Sequence, residues 1–151
     1  ITIVTPYFVP DKALFRLLVA AAAKGRRVRV LVPRRSDHRL LDFARRWYLR
    51  QLKEAGAEIL FFKPDVLHAK LFIADDESLI IGSANLDMRS LFLNYEIAAV
   101  VRDPAALTAV QSFVASLEAE STPYSEDLYR RSRTWRGRML EAISKTLAPL
   151  L

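Results

Sequence analysis

The stretch Leu67–Asn85, LHAKLFIADDESLIIGSAN, decides how this chain is read. Leu67–Ala74 alternates apolar and polar side chains, Asp75–Glu77 has turn chemistry, and Ser78–Ile81 runs apolar again. Two short strands around a tight turn make a β-hairpin. In a strand, residues two apart share a face, so His68 and Lys70 project to one side while Leu71 and Ile73 point into a core. The returning strand brings Gly82, Ser83 and Asn85 back beside His68. Gly82 allows close backbone approach at that point.

Upstream of the hairpin the pattern alternates between the two regular periods. Ile1–Thr5 is β-rich and stops at Pro6, and Asp11 can cap a helix over Lys12–Lys24 that Gly25 ends. Val28–Val32 reads as a strand, a second helix opens at Ser36 or Asp37 and runs to about Lys53, and Ala57–Phe62 is a third strand. This order implies parallel strands joined by right-handed crossovers. Downstream, Tyr95–Arg102 reads as a strand. Pro104–Glu120 reads as a helix with proline in its first turn, and Ser125–Leu147 as further helix broken near Ser132. The expected architecture is α/β, a mixed β-sheet flanked by helices with a helical C-terminal segment, forming a single unit over residues 1–151.

The composition is that of a globular chain, with 52% hydrophobic and 26% charged residues. With no cysteine, disulfides and thiolate metal sites are excluded. No run reaches the roughly 20 apolar residues that cross a bilayer. If the intact protein sits in a membrane, its anchor is expected in a segment absent from this chain or on the surface, and a strand beginning at Ile1 suggests a piece of a longer protein. The net charge of +6 favours acidic partners, either anionic lipid or nucleic acid.

The groups that converge on the hairpin suit a phosphodiester. Lys70 supplies positive charge for non-bridging oxygens, and Ser83 and Asn85 supply neutral hydrogen-bond donors. His68 can attack phosphorus or carry a proton near neutral pH. A lone histidine is a poor metal site, so neither metal nor cofactor is expected. The other histidine, His38 in RRSDHR, reads as a solvated residue at a helix start. Tyr7 and Phe8 sit where a strand ends, with core packing the preferred reading over pocket lining. Arg89 and Ser90 follow the hairpin closely, and Arg89 is equally suited to a salt bridge or a headgroup contact. Trp135 with Arg130, Arg131, Arg133, Arg136 and Arg138 forms a basic amphipathic stretch suited to an anionic membrane surface or to solvent.

His68-x-Lys70, Asp75 and Gly82-Ser83-x-Asn85 together resemble the signature of the phospholipase D superfamily. Its six specified positions would coincide by chance on the order of 10⁻⁸ times per starting point. The flanks TPYFVPD (Thr5–Asp11), LVPRRSD (Leu31–Asp37), GSANLDMRS (Gly82–Ser90), LNYE (Leu93–Glu96), the closing Trp135-x-x-Arg138 and APLL (Ala148–Leu151) are similar to the C-terminal half of bacterial cardiolipin synthases.

That resemblance implies two such motifs at one active site, from two halves of a chain or from two identical chains. One histidine becomes a phosphohistidine and the other serves as general acid and base. His68 is one of the pair, and motif order favours the acid/base role. Lys70, Ser83 and Asn85 bind phosphate, Asp75 supports the site or caps the turn, and Glu96 orients the histidine. The implied reaction makes cardiolipin from two phosphatidylglycerol molecules at the bacterial inner membrane. The implied partners are anionic phospholipid, the membrane surface and the other catalytic half. The alternative is a homodimeric nuclease or phospholipase, with nucleic acid as partner only in the nuclease case.

Overall fold

The computed structural model describes residues 1–64 and 66–125. The basic stretch around Trp135 lies outside the described residues, as does the expected C-terminal helix beyond Ser125, which is itself not helical.

Seven strands form one mixed sheet. Strands β1 (Thr2–Val4), β2 (Arg29–Pro33) and β3 (Glu58–Phe62) are parallel, linked by helices α1 (Lys12–Ala23) and α2 (Arg39–Glu54). Strands β4 (Leu71–Ala74), β5 (Ser78–Gly82) and β6 (Ala98–Val101) extend the sheet antiparallel from β1, and β7 (Ser121–Pro123) closes the other edge on β3. The spatial order is β6-β5-β4-β1-β2-β3-β7. A five-residue helix α3 (Met88–Phe92) precedes β6, and α4 (Pro104–Ala119) follows it.

The parallel strands are buried on both faces, as a sheet covered by helices on each side requires. Ile3, Val30, Val32 and Ile59 face α1 and α2, where they pack with Phe15, Leu18, Leu49 and Leu52. Their neighbours Val4, Leu31 and Leu60 face the other way and meet Leu107, Val114 and Leu117 of α4. The alternation that marks these residues as strands thus also sorts them between two cores. The expected mixed sheet flanked by helices is the observed one.

Three boundaries differ from expectation for local reasons. The hairpin's first strand begins at Leu71, so His68 and Lys70 sit in the segment just before it. The ladder with β1 ends at the Val4–Leu71 pair, and the chain beyond turns away at Pro6, which has no amide to donate. Strand β6 begins at Ala98 rather than Tyr95, because the Ile97 amide donates to the Ser83 hydroxyl at 3.0 Å. Helix α2 begins at Arg39, while the loop before it is tied by Asp42, which accepts from the Ser36 amide (3.1 Å) and hydroxyl (2.9 Å). Two short elements carried no periodic signal. Helix α3 rests on Asp87, which caps it by accepting from the Ser90 amide at 2.8 Å. Strand β7 places Pro123 on a sheet edge, where its missing amide costs nothing.

Candidate active site

The hairpin and the chain leaving it build a cleft of about 680 Å³, lined by His68, Lys70, Gly82, Ser83 and Asn85 and walled by Phe113 of α4. Two contacts fix its floor. The segment after β5 is held to the chain after β1, because the Val9 amide donates to the Leu86 carbonyl at 2.7 Å and Phe8 bridges Leu86. At Gly82 the β6 backbone approaches so closely that a Cβ would lie 2.7 Å from Ala98 Cα and nearer still to the Ile97 carbonyl oxygen. Glycine is required here for space rather than for backbone conformation.

The Lys70 ammonium donates to the His68 carbonyl at 2.7 Å, which keeps the two residues adjacent and leaves two N–H groups for other acceptors. Burial pulls the Lys70 ammonium below its ordinary pKa, and the charges of Glu96 and Asp37 pull it back up. Asn85 is half-buried, and its Oδ1 is buried with no partner among the described residues. Rotation exchanges the two ends of an amide, so Asn85 can turn a donor toward an anion in the cleft.

Glu96 joins the cluster from the loop before β6. Its carboxylate accepts from the Ser83 hydroxyl and from Asn94 Nδ2, the latter at 3.4 Å. The Ser83 bond comes first in holding Glu96 below the usual carboxylate range, with smaller help from Asn94, Ser90 and the Lys70 charge. Among the described residues no hydrogen bond links Glu96 to His68; the carboxylate is bonded to Ser83 and Asn94. Asp75 is not brought to the cluster. It lies with left-handed backbone (φ 53°) in the turn at the far end of the hairpin. The four residues of β4, roughly 13 Å of strand, separate it from Lys70. Its place is that of a turn residue.

Tyr7 and Asp37 adjoin the site from the C-terminal ends of β1 and β2. The Tyr7 hydroxyl donates to Asp37 Oδ1 at 2.5 Å. Burial and this bond push the Tyr7 phenol up to about 12. The same bond holds Asp37 below the carboxylate range, helped by the nearby charges of His38 and His68. Tyr7 is buried with Val9, Leu41 and Ala44, as expected of a core residue, while Asp37 was expected only to open a helix. The available signal was position, since both follow the carboxyl ends of parallel strands.

No three His, Cys, Asp or Glu side chains among the described residues gather to hold a metal ion. What the arrangement offers is an imidazole, a cation and neutral donors around one anion-sized space.

The backbone that carries these groups is phospholipase D-like. Nuc from Salmonella typhimurium, a phospholipase D family member, superposes with a TM-score of 0.67 at 18% identity, over 81% of this chain and 79% of that one. The phosphatidylserine synthase of Haemophilus influenzae Rd KW20 superposes with a TM-score of 0.72 at 17% identity, over 99% of this chain and 41% of that one.

Within that class the chain belongs to the family of the cardiolipin synthase PLD-like domain, which matches residues 1–119. Cardiolipin synthase of Halalkalibacterium halodurans is 40% identical over 152 residues, covering 100% of this chain and 30% of that protein. Cardiolipin synthase 2 of Bacillus cereus is 39% identical over the same length and likewise covers 100% of this chain, but 29% of its own. The chain thus spans about 30% of the length of the curated relatives it matches.

Proposed function

We propose that the intact protein is a phosphatidyltransferase that makes cardiolipin and glycerol from two phosphatidylglycerol molecules, and that this chain supplies one of its two catalytic motifs. The observation that carries the reading is the convergence of His68, Lys70, Ser83 and Asn85 on one cleft, in a chain 40% identical along its whole length to a cardiolipin synthase.

In the first step a histidine nitrogen attacks phosphorus, the bond to the leaving glycerol oxygen breaks, and the second histidine protonates that oxygen. In the second step that histidine takes the proton from a hydroxyl of another phosphatidylglycerol, whose oxygen attacks phosphorus as the P–N bond breaks. Motif order gives His68 the proton-transfer role. Lys70 and Asn85 neutralise and orient the phosphate oxygens, and Ser83, held by Glu96, supports them. Every role is acid–base, nucleophilic or electrostatic.

The second histidine comes from another half, in cis or from a second copy. A docking face for it lies beside the site. Phe92, Leu93, Tyr95 and Ile97 are 63–107% exposed, next to Glu96 and the edge of β6, which pairs with no further strand among the described residues. Contiguous exposed apolar surface of this kind marks an interaction site. The length of the relatives beyond this chain supplies a candidate occupant.

Histidine substitution tests the reading. Full-length His68→Ala loses glycerol release and cardiolipin formation together; wild-type turnover in that variant removes His68 from the mechanism. A homodimeric phosphodiesterase acting on nucleic acid is the second reading, favoured by the net charge of +6. It requires DNA cleavage by this chain alone.

A further inference from the structure

A second cleft, on the far side of Asp37, takes no part in the reaction just described. It lies at the C-terminal end of β2 and along the start of α2, against β3 and residues 122–125, with a volume of about 770 Å³. Small-molecule sites commonly measure about 300–1,000 Å³. Arg34, Arg35, Arg39, Arg45 and Arg46 line it, against the carboxylates of Asp37 and Asp42.

Surface arginines alone would make an ordinary solvated face. Arg45 is different, since it is only 4% exposed. Its Nη2 pairs with Asp42 at 2.8 Å and donates to the Arg34 carbonyl at 3.2 Å. Its Nη1 is buried and has no partner among the described residues. Asp42 is already engaged by the amide and hydroxyl of Ser36. Arg46 is fixed nearby, its Cζ 4.6 Å from the centroid of the Phe43 ring. A buried guanidinium held on one edge and left without a partner on the other is costly unless an anion completes it. Guanidinium groups bind phosphate oxygens through paired hydrogen bonds.

We propose that this cleft is a second phosphate site, and that it holds the phosphodiester of the acceptor phospholipid while that lipid's hydroxyl reaches the reaction centre. The inference rests on the phosphatidyl-transfer reading above. Transfer between two phospholipids places two anionic groups side by side, of which only one reacts. Lys70 and Asn85 serve the reacting one. The other needs its own positive charge, at a distance that a headgroup can bridge. Asp37 marks the junction, since it lines the arginine cleft and accepts from the hydroxyl of Tyr7, the neighbour of Phe8, which bridges Leu86 beside Asn85.

The test uses the full-length protein in mixed micelles with labelled phosphatidylglycerol as the only phospholipid. Glycerol release reports the donor step, and the ratio of cardiolipin to phosphatidic acid reports whether a lipid or water captures the intermediate. Arg45→Met and Arg46→Gln are expected to raise the half-saturating acceptor concentration at least tenfold. Phosphatidic acid then gains at the expense of cardiolipin, while single-turnover glycerol release stays within twofold of wild type. An unchanged product ratio and unchanged half-saturation in Arg46→Gln overturn the inference, even if Arg45→Met, which also braces the loop, does not fold.

A binding arm is independent of turnover. Glycerophosphoglycerol and inorganic phosphate are titrated by calorimetry into His68→Ala protein, with and without Arg46→Gln. Diester binding weakened at least tenfold by the arginine change supports the acceptor site. Arginine-dependent binding of inorganic phosphate alone assigns the cleft to free phosphate and overturns the acceptor role. If the wild type makes no cardiolipin while diester binding remains arginine-dependent, the transfer reading falls and the phosphate site stands.

Discussion

Gly82 is the residue whose replacement the site tolerates least for steric reasons, because β6 passes where a side chain would begin. Gly82→Ala is expected to destabilise the chain by about 1–3 kcal/mol, as overpacking does; a urea midpoint equal to wild type contradicts that. The Tyr7–Asp37 bond gives a prediction in pH. Asp37 has a lowered carboxyl pKa, so its contribution to stability is present above the unfolded value of about 3.9 and is lost as pH falls through the folded value. Tyr7, raised to about 12, contributes below its unfolded value of about 10 and loses that contribution as pH rises through about 12. Tyr7→Phe should therefore move the Asp37 carboxyl titration upward by NMR and remove the phenol that ionises near pH 12 by absorbance. An unmoved Asp37 titration would show that the bond does not hold the carboxylate. At this scale the sequence was legible where chemistry depends on spacing along one hairpin, as for His68, Lys70, Ser83 and Asn85. It was not legible for Asp37, which reaches the site through the sheet rather than along the chain. Asp75 shares the motif's spacing and lies in the turn at the far end of the hairpin.

Among the elements, α2 shows how periodicity becomes stability. Leu49 and Leu52 sit on its apolar face at 1% and 0% exposure, packed on the sheet with Phe15 and Leu18 of α1. Leu52→Ala should cost about 2–5 kcal/mol, the sum of lost burial and a residual cavity. A loss well under 1 kcal/mol in urea unfolding would mean that α2 does not dock as described. The parallel strands and long helices could be read because each buries a regular face. Helix α3 and strand β7 could not, since five and three residues hold too few repeats to show a period. The start of β4 was misplaced because alternation continues through His68 and Lys70, whereas the ladder needs a partner that β1 no longer supplies.

For the whole molecule, the sheet is asymmetric. One flank, at β7, rests near the α4 side of the core, while the β6 flank exposes apolar side chains beside Ser83 and Glu96. Phe92→Asp combined with Leu93→Asp should lower turnover of the full-length protein at least tenfold while leaving its melting temperature within a few degrees. Wild-type turnover in the double variant would place the partner half elsewhere. On the proposed reading this chain supplies one hairpin motif, and among the described residues no further strand pairs with the β6 edge. The most direct measurement of that reading is the lipid product formed by the full-length wild-type protein from labelled phosphatidylglycerol. Cardiolipin with one glycerol released per cardiolipin formed is the expected outcome; phosphatidic acid as the sole lipid product, or no lipid product at all, would overturn the transfer reading.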